Sequence, residues 1–274
     1  MSKDRLDALL RRFSVTARMF HAGPLCGVTD FYALPDMGHL HVVKRGVVDV
    51  DYGKRKRDRI DAPSVVFYPR PLRHRFITDA TAGADMTCAN VSFNMGNVNP
   101  LAQALPPIVI IPLAELDADA VLDALFREAF AQRCGRQHVV NRLFEVVIII
   151  ILRTAMNRQL VAEGMLAGLA HPQLAKALIA MHEAPAQAWP LEKLAARAGM
   201  SRSHFAAVFR DIVDSTPADY LARFRISIAQ DRLRRGDAIK LIAEQVGYGS
   251  SAALSRAFSA ICGKSPRVWK AELG

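Results

Sequence analysis

The sequence predicts an α+β protein, with a β-rich N-terminal domain over residues 1–162 and an all-helical C-terminal domain over residues 171–274. Between about Val28 and Leu113, short β-rich segments alternate with glycine and proline, as they do in sandwiches and small barrels. Beyond His171 the apolar residues follow helical spacing instead, and one helical pattern occurs twice. A chain of 274 residues is long enough for two domains with separate cores.

The N-terminal domain is predicted to begin with a short amphipathic helix, because Leu6, Leu9, Leu10 and Phe13 follow i, i+3, i+4, i+7 spacing. Several strands should follow, each rich in β-branched or aromatic residues and bounded by turn residues. These strands are Leu40–Val43, Val47–Val50, Ser64–Tyr68, Arg75–Thr78, Thr87–Phe93 and Ile108–Ile111. We expect them to form a small β-barrel, with a sandwich as the alternative.

Two longer helices are predicted after the strands, over Asp117–Gln132 and His138–Leu160. The second is apolar around much of its surface, but its run Val146–Leu152 is far shorter than the ~18 residues that a membrane span needs. Such a helix requires cover from the barrel, from the first helix or from a second subunit. We therefore expect these helices to form the dimerisation segment of a homodimer. The segment Val161–Ala170 contains two glycines and is predicted to be the interdomain linker.

The repeated pattern lies in the last third of the chain. The first copy comprises Leu191, Leu194, Ala195, Gly199, Ser201, Phe205 and Phe209, and the second comprises Ile239, Ile242, Ala243, Gly247, Ser250, Leu254 and Phe258. The copies are offset by 48 residues before the turn (239 − 191) and by 49 residues after it (254 − 205). Each copy predicts a helix, a glycine-containing turn and a second helix. This unit can lay its second helix in the major groove of DNA.

A longer helix is predicted between the two copies. Thr216, Pro217 and Asp219 form a favourable helix start, with a side-chain cap, proline at the first helical position and an acid in the first turn. The helix should run to about Arg235, so that its ~19 residues span roughly 28 Å. This length is close to one DNA turn of roughly 34 Å, so the second helices of the two copies are expected to enter successive major grooves.

The charge and the cysteines restrict the class of protein. The formal net charge is +10 and the pI is about 9.8, which favours a polyanionic partner such as double-stranded DNA. The four cysteines form no CxxC pair, so neither a disulfide framework nor a zinc finger is predicted. The N-terminus is charged and shows no apolar signal segment. We therefore expect a cytoplasmic protein without a membrane partner.

The second helix of each copy should bury one face and present the other to DNA. The predicted buried residues are Phe205, Val208, Phe209 and Ile212 in the first, and Leu254, Phe258 and Ile261 in the second. The candidate DNA-binding residues are Arg202, Ser203, His204, Ala206, Ala207 and Arg210 in the first, and Ser251, Ala252, Ser255 and Arg256 in the second.

Arg256 is the best candidate for a base contact among these residues, because bidentate arginine reads guanine in the major groove. Arg202 and Arg210 are equally well explained as phosphate anchors, and a solvated surface charge is the alternative for each arginine. The many alanines predict sparse direct readout, so recognition of DNA shape should share in specificity.

These residues resemble the signature of the AraC/XylS-type transcriptional regulators. The resemblance covers about residues 171–274 and is carried by Gly247–Phe258 with Ser265, Pro266 and Trp269, and by Leu194-Ala195 and Ser201–Phe205. It implies a two-motif DNA-binding domain preceded by a cupin-like sensor and dimerisation domain. It also implies that the base-facing positions are Ser203, Ala206, Ala207, Ser251, Ala252, Ser255 and Arg256. Its further expected partners are a small-molecule effector and RNA polymerase, whether it acts as an activator or as a repressor.

The β-rich region likewise resembles a cupin. Residues 38–41, Gly-His-Leu-His, are similar to the HxH of the first cupin motif, and residues 69–74 are similar to the PxGxxH of the second. Pro71 stands where that second motif usually has glycine. The glutamate that usually follows HxH is absent, with Lys44 and Arg45 nearby, which disfavours an iron oxygenase.

His39, His41, His74 and Cys88 are the candidate ligands of one zinc ion in the barrel. His39 and His41 share one face of a strand, and three imidazoles with a thiolate suit zinc. A closed four-ligand site would be structural, whereas three ligands would leave a position for an effector with oxygen or nitrogen donors. In the alternative, the neighbouring aliphatic residues point inward and leave the histidines in solvent, or the histidines are hydrogen-bonded in the interior without a metal.

Two classes of function are compatible with these observations. The leading one is a transcriptional regulator with an effector-binding barrel, and the alternative is a cupin metalloenzyme with a DNA-binding appendage. The sequence shows no Ser/His/Asp or Cys/His nucleophile pattern, Walker loop or GxGxxG motif. We therefore expect a protein without enzymatic activity.

Overall fold

Two units make up the chain, and its first residues join the second of them. The computed structural model describes residues 4–53, 56–94 and 99–272. The N-terminal unit comprises residues 14–160, whereas the C-terminal unit combines the segment before residue 14 with everything from residue 161 onward. The predicted domain of residues 1–162 therefore includes an N-terminal segment that the structure places with the C-terminal unit.

Apolar packing explains why this segment, which contains α1 (Asp7–Leu10), lies in the C-terminal unit. Leu9 and Phe13 are fully buried, and the Phe13 ring meets Phe224 edge to face with centroids 5.8 Å apart. Arg5 Nη1 also donates a hydrogen bond to the Leu169 carbonyl oxygen at 3.1 Å. The predicted amphipathic helix is present, but shorter than its apolar pattern indicated.

The N-terminal unit consists of two antiparallel sheets. Its strands are β1 (Val15–Leu25), β2 (Val28–Phe31), β3 (Met37–Arg45), β4 (Val48–Tyr52), β5 (Lys56–Ile60), β6 (Ser64–Tyr68), β7 (His74–Ile77), β8 (Ala84–Phe93) and β9 (Val109–Pro112). The five-stranded sheet has the order β1-β8-β3-β6-β9, and the four-stranded sheet has the order β2-β7-β4-β5. The core between them includes Val43, Val66 and Met86 from the first sheet and Val50 and Phe76 from the second.

The α+β class and the cupin-like N-terminal domain are confirmed, but closure of the strands into a barrel is not. A barrel requires hydrogen bonds between the edge strands, so that no edge remains. Over residues 14–53, 56–94 and 99–160, no strand of one sheet pairs with a strand of the other. Every predicted strand is present, while β1, β2 and β5 were not predicted.

Helices complete the N-terminal unit. They are α2 (Pro100–Gln103), a 3₁₀ turn (Leu113–Glu115), α3 (Asp119–Phe130) and α4 (Arg136–Asn157). The last of these packs on α3 and β1 and buries Phe144, Val147 and Ile151. Val139 and Val146 remain 44% and 40% exposed, so α4 is not fully covered within the unit. None of the helices in the described ranges is long and apolar enough to cross a membrane.

The C-terminal unit is helical throughout. Its helices after α1 are α5 (Met165–Ala170), α6 (Leu174–Glu183), α7 (Leu191–Ala198), α8 (Arg202–Val213), α9 (Pro217–Arg234), α10 (Ile239–Gln245), α11 (Ser251–Cys262) and α12 (Pro266–Ala271). The prediction of a linker over Val161–Ala170 is wrong, because α5 packs on α6 and α8 with Leu166 and Leu169 fully buried. Gly168 serves this packing, since a Cβ there would lie 2.7 Å from Leu178.

Candidate DNA-binding surface and histidine cluster

The first helix-turn-helix motif consists of α7 and α8. Gly199 ends α7 in the left-handed conformation, with a φ of +68°. The Ser201 hydroxyl oxygen then caps α8 by accepting a hydrogen bond from the His204 backbone N–H. Phe205 and Phe209 are fully buried and hold α8 against its neighbours. The short turn and the two buried rings thus fix the direction in which the outer face of α8 points.

The second motif, α10 and α11, is built in the same way. Gly247 has a φ of +81°, and a Cβ there would lie 2.3 Å from the Ala186 carbonyl oxygen, so glycine is required at this turn. The Ser250 hydroxyl oxygen accepts from the Ala253 N–H and begins α11. Phe258 is fully buried, but Ile261 is 40% exposed, so its predicted place in the buried stripe is wrong. The stripe ends one turn earlier because α12 covers α11 through Trp269, whose ring meets Phe258 at 5.6 Å.

The long helix α9 joins the two motifs as predicted. The Thr216 hydroxyl oxygen accepts from the Asp219 N–H, and Pro217 occupies the first turn. At 18 residues, α9 is about 27 Å long. The two recognition helices are therefore joined by a rigid element somewhat shorter than one turn of DNA.

The predicted DNA-binding residues all lie at the surface of the two recognition helices. None of the ten is buried: Ala206, Ser251 and Ser255 are half-buried, and the others are exposed, namely Arg202, Ser203, His204, Ala207, Arg210, Ala252 and Arg256. Arg202 pairs with Glu192 at 2.8 Å, and this hydrogen bond lowers the pKa of the Glu192 carboxyl. Arg256 makes no ion pair or hydrogen bond with any residue that the structure describes. Its guanidinium is thus available to an external ligand.

Three histidines meet in the core of the N-terminal unit. His39 and His41 lie on β3 of the five-stranded sheet, and His74 lies on β7 of the four-stranded sheet. All three are buried, and their ligating nitrogens lie within 4.8 Å of one another. The histidines therefore face the interior rather than solvent. Leu40 and Val42 are buried as well, because both faces of β3 are covered.

The hydrogen bonds of this cluster define which nitrogen atoms are free. His74 Nδ1–H donates to the Leu72 carbonyl oxygen at 2.9 Å, so its Nε2 carries a lone pair. His41 Nε2 lies 2.9 Å from that atom, while His41 Nδ1 is buried with no partner among the described residues. Burial lowers the pKa of His39 and of His41, and lowers that of His74 to about 3. The imidazoles are therefore neutral near pH 7, the form that binds metal ions.

Aromatic side chains that were not predicted enclose the histidines. The Tyr68 ring stacks on His74 at 3.8 Å, and Phe31 stacks on His74 at 4.9 Å. The Tyr68 hydroxyl is buried without a hydrogen-bond partner in the described part of the chain. The alternation of Tyr68 with its strand neighbours could have shown which face it occupies, but no sequence signal connects it to a histidine on another sheet.

Cys88 does not join the histidines, although it lies opposite His41 in the β3–β8 register. Its side chain packs in the apolar core, and burial raises the pKa of the thiol. The predicted four-ligand site is therefore reduced to three histidines in this structure. His74 also borders a cavity of about 420 Å³, whose lining includes Asp30, Tyr52 and Arg73.

The fold and these two sites define a protein with an N-terminal cupin-like domain and a C-terminal domain containing two helix-turn-helix motifs. Residues 4–157 match a cupin family, and residues 194–272 match a helix-turn-helix domain. The cupin match alone covers more than half of the 274 residues. The chain belongs to the AraC-type family of regulators that carry a cupin domain.

Two curated relatives come from Streptomyces, and both are named AraC-like transcription regulators. The one from Streptomyces antibioticus is 40% identical over 171 residues, covering 61% of this chain and 56% of the relative. The one from Streptomyces lividans is 36% identical over 197 residues, covering 69% and 65%. The aligned regions thus span less than two thirds of each relative. The crystal structure of ToxT from Vibrio cholerae is 14% identical and covers 96% of this chain and 98% of its own, with a TM-score of 0.40.

Proposed function

We propose that this protein is a sequence-specific DNA-binding transcriptional regulator whose N-terminal unit binds a small-molecule effector. The observation that carries the proposal is the pair of capped helix-turn-helix motifs joined by α9, with serine, alanine and arginine on the outer faces of α8 and α11. A basic net charge of +10 supports a polyanionic partner. The names of the relatives agree with this function.

DNA recognition would use α8 and α11 in successive major grooves, with phosphate contacts supplying most of the affinity. Arg256 is long, exposed and free to form two hydrogen bonds to a guanine edge. Serine and alanine at the other outward positions allow close approach but give little base discrimination. Specificity would therefore rest on few base contacts together with the deformability of the site.

The effector site is proposed to centre on the three histidines. The residues fit one zinc-like ion: the imidazoles are neutral, and the Leu72 carbonyl oxygen orients the His74 ring as an outer partner of a metal ligand does. When bound, the ion would supply an open coordination position for an oxygen or nitrogen donor of the effector. The cavity beside His74 is large enough for a small molecule. Regulation then requires that the effector bind two arrangements of the protein with different affinities.

The proposed function is tested by selecting bound sites from a random DNA pool and then measuring affinity for the selected site at several salt concentrations. Affinity should fall steeply with salt, by roughly 10³-fold or more between 50 and 200 mM if about six or more phosphates are contacted. Arg256→Ala should weaken binding to the selected site by about 1–3 kcal/mol and weaken binding to random DNA less. An equal loss on both DNAs would assign Arg256 to phosphate. A flat salt response would contradict the proposed function.

A homodimer formed through α3 and α4 is also proposed, and RNA polymerase is proposed as a further partner. Val139 and Val146 leave an exposed apolar stripe on α4, and C2 dimers are the commonest way of covering such a surface. Sedimentation equilibrium at micromolar concentration should give twice the chain mass of 30.1 kDa. Val139→Asp/Val146→Asp should shift the protein to monomer, whereas a wild-type monomer would contradict the dimer.

A further inference from the structure

The two helix-turn-helix motifs differ in how their basic side chains are held. In the first motif, Arg202 Nη1 lies 2.8 Å from Glu192 Oε1, which joins the start of α8 to the start of α7. The repeat places Lys240 at the position of Glu192 and Ser251 at the position of Arg202. The second motif therefore has a cation where the first has an anion, and the ion pair has no counterpart there.

The other basic residues show the same difference. Lys193 and Arg197 lie over the Trp189 ring, 4.9 Å and 5.9 Å from its centroid, so both interact within their own motif. Lys240 and Arg256 in the second motif are exposed and make no ion pair or hydrogen bond with residues in the described ranges. The second motif thus offers its basic groups to a ligand without breaking an internal contact.

The Glu192–Arg202 pair lies where DNA should approach the first motif. Arg202 is the first residue of α8, and the N-terminal residues of a recognition helix are those that approach the bases and the flanking phosphates. Both side chains are exposed, at 67% for Arg202 and 60% for Glu192. A carboxylate at this position both holds the arginine and repels the phosphate backbone.

We propose that Glu192 is a specificity-determining residue that keeps the first motif from contributing to non-specific DNA binding. The inference rests on the proposed DNA-binding function. Non-specific affinity is electrostatic, so it comes from the second motif through Lys240 and Arg256. The first motif contributes only where the shape of the site seats α8 well enough to draw Arg202 away from Glu192.

The test uses the full chain and a labelled random-sequence DNA duplex of three helical turns, with binding followed by anisotropy at several salt concentrations. Glu192→Gln should bind this duplex about three- to fivefold more tightly, the upper range for an exposed charge pair. The log–log salt slope should become steeper by about 1, because Arg202 gains a phosphate contact. Lys240→Ala should have the opposite effects on affinity and slope.

Two controls separate this role from a general effect of charge. Glu244→Gln removes the same charge from an exposed position of the second motif and should change affinity by less than half as much. Arg202→Ala should have little effect alone and should abolish the gain in the Glu192→Gln background, as a double-mutant cycle reveals. Tryptophan fluorescence confirms that each variant is folded.

Equal gains from Glu192→Gln and Glu244→Gln would overturn the inference, as would an Arg202→Ala effect of the same size in both backgrounds. In either case wild-type binding to DNA would leave the proposed function standing. A wild-type protein that binds neither random nor selected DNA would overturn both.

Discussion

Phe209→Ala and Phe258→Ala are each expected to destabilise the C-terminal unit by about 3–5 kcal/mol, the usual cost of removing a buried phenylalanine ring. Both side chains are fully buried, and each holds a recognition helix in place. The Phe209 ring lies 5.5 Å from Phe205 and 5.8 Å from Tyr220, and the Phe258 ring lies 5.6 Å from Trp269. A loss of this size is a large fraction of the stability of an ordinary domain.

Urea denaturation followed by tryptophan fluorescence measures this effect selectively. The chain has two tryptophans, Trp189 and Trp269, and both belong to the C-terminal unit. Ile261→Ala is the matched control, because Ile261 is on the same helix as Phe258 but 40% exposed, and it should cost well under half as much. Midpoints for the phenylalanine variants that match the control would contradict the packing described here.

His41→Ala/His74→Ala is expected to abolish metal binding by the N-terminal unit. Protein purified without an affinity tag should hold about one zinc-like ion per chain, and the double variant should hold almost none, since a single remaining imidazole binds weakly. His21→Ala is the matched control, because His21 is on β1 outside the three-histidine group and its Nε2 bonds to the Gly23 carbonyl oxygen. Cys88→Ala should likewise retain the metal.

Elemental analysis of the four proteins decides the outcome. Equally low metal in wild type and double variant would show that the cluster is a polar pocket without an ion. Loss of metal in Cys88→Ala would show instead that the thiol reaches the site when metal is bound. Both outcomes leave the DNA-binding proposal unaffected.

Local signals explain most of what the sequence predicted correctly. The serine caps at Ser201 and Ser250 and the glycine turns are encoded within a few residues, so the two motifs were placed to within about one residue. The linker prediction failed because Gly164 and Gly168 were taken as turn signals. In the structure Gly168 provides space for Leu178, a residue ten positions away, and such a packing reason has no local signature.

The histidine cluster shows the same limit. Strand alternation correctly grouped His39 with His41, because parity determines the face of a sheet. Parity does not determine which side chains of that face come within reach, and Cys88 therefore remained a false ligand candidate. The long strand β1 was missed because its pattern changes phase at a bulge between Met19 and His21, which only the pairing with β8 reveals.

The position of α1 has a mechanical consequence. Since residues 4–13 belong to the C-terminal unit, the backbone passes between the units twice, after Phe13 and again after Leu160. A body attached by one tether can swivel freely, whereas a body attached by two can turn only about the line that joins its attachment points. Proteolysis after Leu160 alone would leave the halves covalently joined through Ser14, so release of a free DNA-binding fragment requires two cuts and costs it the packing of Leu9 and Phe13.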